Sequence, residues 1–131
     1  MFVDANYGHD LVTGKTITGV LAFVGSTPVE WGATCQSSVQ TATYGAELNA
    51  LKKALKHAVT IRYYLRSMGM KVEKPTKIYC DNKAVVTNTT EAGSIINKKY
   101  LALACHFCRE YFLPMWLISG GLMVSTTLLM I

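Results

Sequence analysis

The chain has 131 residues, half of them hydrophobic, with 13 Lys and Arg against 8 Asp and Glu for a formal net charge of +5. That length builds one domain with a moderate core, and the surplus of positive charge permits a polyanionic partner without demanding one. Four cysteines (Cys35, Cys80, Cys105, Cys108) with neither a signal-peptide pattern nor dense half-cystine spacing exclude a disulfide-stapled secreted scaffold, so they are expected to be thiols in a reducing compartment.

The first six residues, Met1 to Asn6, form a predicted strand that carries Asp4, followed by the loop Tyr7-Gly8-His9-Asp10. Gly14-Lys15-Thr16 matches the end of a phosphate-binding P-loop, but His9 stands where the leading glycine is required, which excludes that motif. Ile17 to Val24 is rich in β-branched and aromatic residues and runs into the turn signal Gly25-Ser26-Thr27-Pro28. Val29 to Cys35 follows closely enough to be its hairpin partner, giving an antiparallel three-strand meander.

From Thr41 the period changes: Leu48, Leu51, Leu55, Ala58, Ile61 and Leu65 recur at steps of three and four, with Lys52, Lys53 and Lys56 on other faces. This spacing predicts an amphipathic helix of about six turns, ended near Ser67-Met68-Gly69 by the glycine. Thr76 to Lys83 is a short apolar strand running into Asp81-Asn82. A carboxylate at the C-terminal end of such a strand sits at the mouth of an α/β sheet, where ligands and metals bind. A short helix over Lys83 to Thr89 and a loop over Glu91 to Ser94 come next. A second long helix over Asn97 to Leu113 carries a core-facing stripe of Leu101, Ala104, Cys105, Cys108 and Phe112, leaving Lys98, Lys99 and Arg109 for solvent or phosphates. Cys105-His106-Phe107-Cys108 has the gap of half a zinc knuckle, yet no second ligand pair follows, and the four are read as helix residues.

Strand acid, helix acid, strand acid is a layout that lets Asp4, Glu47 and Asp81 converge on a hard divalent cation, which prefers oxygen ligands. Each acid alone reads as a solvated surface group. Glu47 is either an acid in the first helical turn, favoured by the helix dipole by roughly 0.3–1 kcal/mol, or a ligand at the end of the helix nearest the active edge of the sheet. Periodicity leaves both readings open.

Val3-Asp4-Ala5, Thr16 to Val20, Trp31 with Gln36-Ser37-Ser38, Ala46-Glu47-Leu48-Asn49-Ala50-Leu51, Tyr79-Cys80-Asp81-Asn82 and Cys105 to Glu110 stand in an order that resembles the ribonuclease H domain of copia-type retrotransposon polyproteins. The resemblance implies an α/β fold of the RNase H type: a mixed sheet of three antiparallel strands and then a parallel one, with flanking helices and a fifth strand altered or missing. It implies hydrolysis of the RNA strand of an RNA–DNA hybrid with Mg²⁺ or Mn²⁺. Asp4, Glu47 and Asp81 would be the catalytic metal ligands, Asn82 would help to hold the hybrid, and Lys52, Lys53 and Lys56 would contact its phosphates unless they form a merely solvated face. The implied partners are the hybrid and the reverse transcriptase domain of the same polyprotein, with no cognate membrane partner. The implied location is the cytoplasm, with virus-like particles or the nucleus as further sites.

The domain is expected over residues 1–113, and residues 114–131 depart from the pattern. The family continues with a fifth strand and a Pro-Ala-Asp segment bearing a fourth carboxylate, whereas here no charged residue follows Glu110. Phe112 to Ile131 matches the roughly 20-residue apolar length that crosses a bilayer. Gly120-Gly121, Ser125-Thr126-Thr127 and the lack of a basic flank weigh against an anchored protein. Permitted codons for Ile118 to Ile131, regrouped from the last base of the first codon, read Ile-Arg-Trp-Ile-Asp-Gly-Lys-Tyr-Asn-Pro-Ala-Asp-Asp, so a frameshift near Pro114 explains the tail. Three acids of four imply impaired or absent cleavage, an inactive hybrid-binding relic being the alternative, and an exposed apolar tail would promote association. Sequencing the coding DNA is expected to show Pro-Ala-Asp in a second frame downstream of Pro114; its absence from every frame would remove the frameshift.

Overall fold

The computed structural model describes residues 1–91, 93, 95–112 and 122–125. Its elements are β1 (Phe2–Asn6), β2 (Ile17–Val24), β3 (Thr27–Cys35), α1 (Thr43–Ser67), β4 (Thr76–Cys80), α2 (Lys83–Thr90), α3 (Lys99–Phe112) and β5 (Leu122–Ser125). The strands form one sheet in the order β3-β2-β1-β4-β5. The first two neighbour pairs are antiparallel and the last two parallel, so β1 is where the sheet changes direction.

Local chemistry accounts for the elements. Gly25 adopts a positive φ of 63° in the tight connection that pairs Val24 with Thr27, a conformation that favours glycine. Alternation along the strands puts Val3, Ala5, Val20, Ala22, Ile78 and Cys80 into the core with Leu48, Leu51 and Leu55 of α1. Each fully buried leucine contributes roughly 1.5–3 kcal/mol. Phe2 lies on the opposite face, stacked on Tyr79 with ring centroids 5.0 Å apart. α1 is 25 residues long, about seven turns, and ends where Gly69, at a φ of 80°, lets the Met70 N–H donate to the Leu65 carbonyl at 3.0 Å.

The predicted stripe on α3 is buried at Leu101, Ala104, Cys105 and Cys108. One expectation there is corrected. Arg109 is not held in reserve for phosphates, since its Nε and Nη2 both donate to the Asn88 carbonyl, at 3.1 and 2.7 Å, and tie α3 to α2. Leu122–Ser125 takes the fifth position in the sheet, parallel to β4. The rest of the apolar tail, residues 113–121 and 126–131, lies outside the described residues. Among the described residues no helix is long and apolar enough to cross a membrane.

Arg62 fixes the α1–β4 connection from inside the protein. It is 4% exposed, and its guanidinium donates to the carbonyls of Lys74 and Val72 and to Thr76 Oγ1 at 2.9, 3.3 and 3.1 Å. Arg62→Met removes the donor from those partly buried acceptors, and hydrogen bonds from a charged donor are worth about 1.5–3 kcal/mol. The variant is therefore expected to lose at least about 2 kcal/mol in urea denaturation, and an unchanged midpoint would contradict this account.

Candidate metal centre

β1 pairs with β4 at Phe2–Tyr79 and Val3–Cys80 only, so β1 runs on past the end of its parallel neighbour. The gap beyond Cys80 opens at the C-terminal ends of two parallel strands, the position where α/β sheets bind ligands. Asp81 is the first residue after β4 and is exposed. Glu47 reaches the gap from the second turn of α1. No acidic residue occupies the first turn, and Glu47 is 3% exposed, which rules against the reading of Glu47 as a solvated dipole acid.

Ligand atoms of Glu47, Cys80 and Asp81 all lie within 4.8 Å of one another. Glu47 Oε2 is buried and has no hydrogen-bond partner. Burial, followed by the negative charges of Asp81 and Asp4, pushes the Glu47 carboxyl up to about 8, with the Ala5 N–H pulling weakly the other way. Asp4 belongs to the same electrostatic group but not to the 4.8 Å cluster, and its Oδ1 accepts the Ala5 N–H at 2.8 Å. An orphaned buried carboxylate oxygen pressed by two further carboxylates suits a divalent cation with hard oxygen ligands. Cys80, which sequence reasoning assigned no role at the site, is the additional member. Burial pushes its thiol up to about 11, with the three acids adding to the effect and the Asn82 N–H opposing it. Its signal in the sequence was its place directly before Asp81.

The predicted hybrid-binding residues are divided between structural contacts. Asn82 caps α2, accepting the Val85 N–H at 3.2 Å through Oδ1. Lys52 and Lys56 hold their ammonium groups 5.0 and 5.4 Å from the Phe107 ring centroid, while Lys53 donates to Thr34 Oγ1. The three lysines nevertheless line one cleft of about 300 Å³ with Asn49, Gln36 and Ser38. Gln36 joins that cleft to the acids, because its Nε2 donates to the Ala46 carbonyl beside Glu47 at 2.9 Å and to Thr18 Oγ1 at 3.0 Å.

No family model matches the chain. Among curated proteins it is similar to the retrovirus-related Pol polyprotein from transposon RE2 of Arabidopsis thaliana, 24% identical over 109 residues, which is 83% of this chain and 8% of that protein. The chain thus spans less than a tenth of this relative. Among solved structures it resembles RNase H1 from the halophilic archaeon Halobacterium salinarum with a TM-score of 0.62 and 16% identity, covering 95% of this chain and 83% of that one. The protease-reverse transcriptase of prototype foamy virus matches with a TM-score of 0.54 and 10% identity, over 94% of this chain and 16% of that one. The fold is RNase H-like. Within that class the chain is an RNase H-like domain that matches the corresponding region of copia-type Pol polyproteins.

A raised Glu47 carboxyl means that the folded chain keeps a proton the unfolded chain has released, so stability declines as pH climbs from the ordinary carboxyl value of 4.5 to about 8. Glu47→Gln is expected to flatten that decline: its melting temperature gains on the parent above pH 8 and shows no such gain in acid below the ordinary carboxyl range. Melting curves across this span check it, and parallel pH slopes for the two chains would refute it.

Proposed function

We propose that the chain is the ribonuclease H module of a copia-type Pol polyprotein, that it acts on the RNA strand of RNA–DNA hybrids, and that its cleavage is impaired. The observation that carries this reading is the buried, unpaired Glu47 oxygen held against Asp81 where β1 outruns β4. Asp4, Glu47 and Asp81 would hold the divalent metal, Mg²⁺ or Mn²⁺. Bound there, a metal pair supplies an activated water and charge neutralisation at the leaving 3′ oxygen.

The chain's own contribution is to hold the acids in place. β1 and β4 fix Asp4 and Asp81 one strand apart, and α1 drives Glu47 into a water-poor position where its charge needs a cation. Lys52, Lys53 and Lys56 offer ammonium groups along the cleft that Gln36 joins to the acids, a placement suited to a nucleic-acid backbone. Asn82 would add its side-chain amide beside Asp81. The fourth carboxylate that the family places in its Pro-Ala-Asp segment has no counterpart in the sequence after Glu110, and losing one ligand weakens a site that holds its ion through few protein contacts. A reverse transcriptase domain of the same polyprotein is the proposed covalent neighbour, and the cytoplasm or a virus-like particle the proposed location.

The lysine cleft favours one second reading, an inactive module that binds hybrid without cutting it. The two separate cleanly in one experiment. A labelled RNA–DNA hybrid is incubated with the chain and Mg²⁺, with Asp81→Asn as the control. Weak cleavage that disappears in the control is expected. A folded chain that binds hybrid in a salt-dependent manner and never cuts establishes the second reading, and a chain that does neither refutes both. Replacing Lys52, Lys53 and Lys56 together is expected to weaken hybrid binding and reduce its salt slope by up to about 3, from about 0.7–0.9 per lost phosphate contact.

A further inference from the structure

We infer that Cys80 is a third protein ligand of the Glu47–Asp81 centre and that the mixed sulfur–oxygen set selects a thiophilic divalent cation, of the Zn²⁺ and Cd²⁺ class, over Mg²⁺. The inference rests on the reading of Glu47 and Asp81 as metal ligands and extends it to the identity of the metal. The sulfur and the two carboxylates lie within 4.8 Å of one another. Zinc bonds of about 2.0–2.3 Å put neighbouring ligands of a tetrahedral site about 3.5 Å apart, so a closure of roughly 1 Å completes the set. Two of the three donors are already withdrawn from water, Cys80 being 1% exposed and Glu47 3%. The carboxylate oxygen that lacks a partner supplies the independent demand for a cation. Asp81 is exposed, so the cluster is open to solvent on that side.

Ligand softness decides between cations. Mg²⁺ takes oxygen ligands and keeps its waters, so it gains nothing from the sulfur. Zinc and cadmium gain a thiolate bond, and the thiol gives up its proton as that bond forms. Such an ion engages Glu47 and Asp81 together and so competes for the centre that Mg²⁺ would occupy. Cys105 and Cys108 are buried on α3, apart from this cluster, and Cys35 is exposed on β3. They are therefore background cation binders that the test has to subtract.

The test is a calorimetric titration of the whole chain with Cd²⁺ in excess Mg²⁺, following the ultraviolet sulfur-to-cadmium charge-transfer band, for the parent, Cys80→Ser and Glu47→Gln. The expected result is one tight Cd²⁺ equivalent in the parent, weakened at least tenfold by either substitution, with the band lost in Cys80→Ser and the Mg²⁺-induced rise in melting temperature retained there. Cadmium NMR of the parent reads the donor set directly and does not depend on the folding of any variant. A shift for oxygen ligands alone, or a tight equivalent and band unchanged in Cys80→Ser, overturns the inference. Failure of the nuclease reading looks different: absence of hybrid cleavage in Mg²⁺ leaves the cadmium result standing, whereas cleavage with no sulfur-bound cadmium removes this inference alone.

Discussion

A carboxylate withdrawn from water without a partner is the constraint from which this structure is best understood. Glu47 is 3% exposed and has an unpaired oxygen, and an unpaired buried charge costs several kcal/mol unless it is protonated or neutralised. The fold accepts that cost through the rest of its architecture. α1 is anchored on the core by Leu48, Leu51 and Leu55, all fully buried, which leaves Glu47 no freedom to turn toward solvent. Its N-terminal end is held by Gln36 through the Ala46 carbonyl. Gly45 adds a steric condition, since a Cβ there would come within 2.7 Å of Gln40 Oε1 and 3.3 Å of Leu101 Cδ2. α1 and α3 approach closely at the very turn that precedes the acid.

Residues with a candidate role in substrate binding also serve the fold, and the magnitudes show that the two uses are compatible. The Asn82 cap on α2 is worth about 1 kcal/mol. The contacts of Lys52 and Lys56 with Phe107 are worth about 0.5–1 kcal/mol each at a site of this exposure. Both are smaller than a hydrogen bond from a charged donor, about 1.5–3 kcal/mol, so a bound polyanion can draw the lysines off the ring without unfolding anything. Arg109 differs. Its two bonds to the Asn88 carbonyl bind α3 to α2, and taking it for phosphate binding would break a helix contact.

The fold was legible in the sequence because its signals are local and repeated. β2 spans Ile17–Val24 as its β-branched run predicts, and Gly69 ends α1 as a residue able to take positive φ. Three of the site features were legible as residue types, Asp4, Glu47 and Asp81, but only their burial distinguishes a solvated acid from one under strain, and burial depends on the packing of α1 against β1 and β4. Cys80 was missed because period-2 alternation assigns it to the core, correctly. That assignment does not reveal that its core position adjoins the acids. The dual contacts of the lysines were hidden for a related reason: Phe107 lies more than fifty positions away in the chain and meets them only through the packing of α3 on α1.

The end of the chain shows how differently a sheet edge and a metal site depend on the identity of a side chain. β5 joins the sheet through parallel pairing with β4 from Thr76–Leu122 to Tyr79–Ser125, and those bonds use backbone groups that every residue except proline carries in full. An edge position can therefore be filled by Leu-Met-Val-Ser as well as by any other segment that frees its backbone groups for pairing. A metal ligand has no such latitude, because the charge and donor atom reside in one side chain, and no charged residue follows Glu110. Among the described residues the acidic centre that confines Glu47 includes the Cys80 thiol as a further donor within 4.8 Å. A thiol placed beside two carboxylates shifts the balance of such a centre from hard cations toward soft ones, because ligand softness rather than charge alone selects the ion.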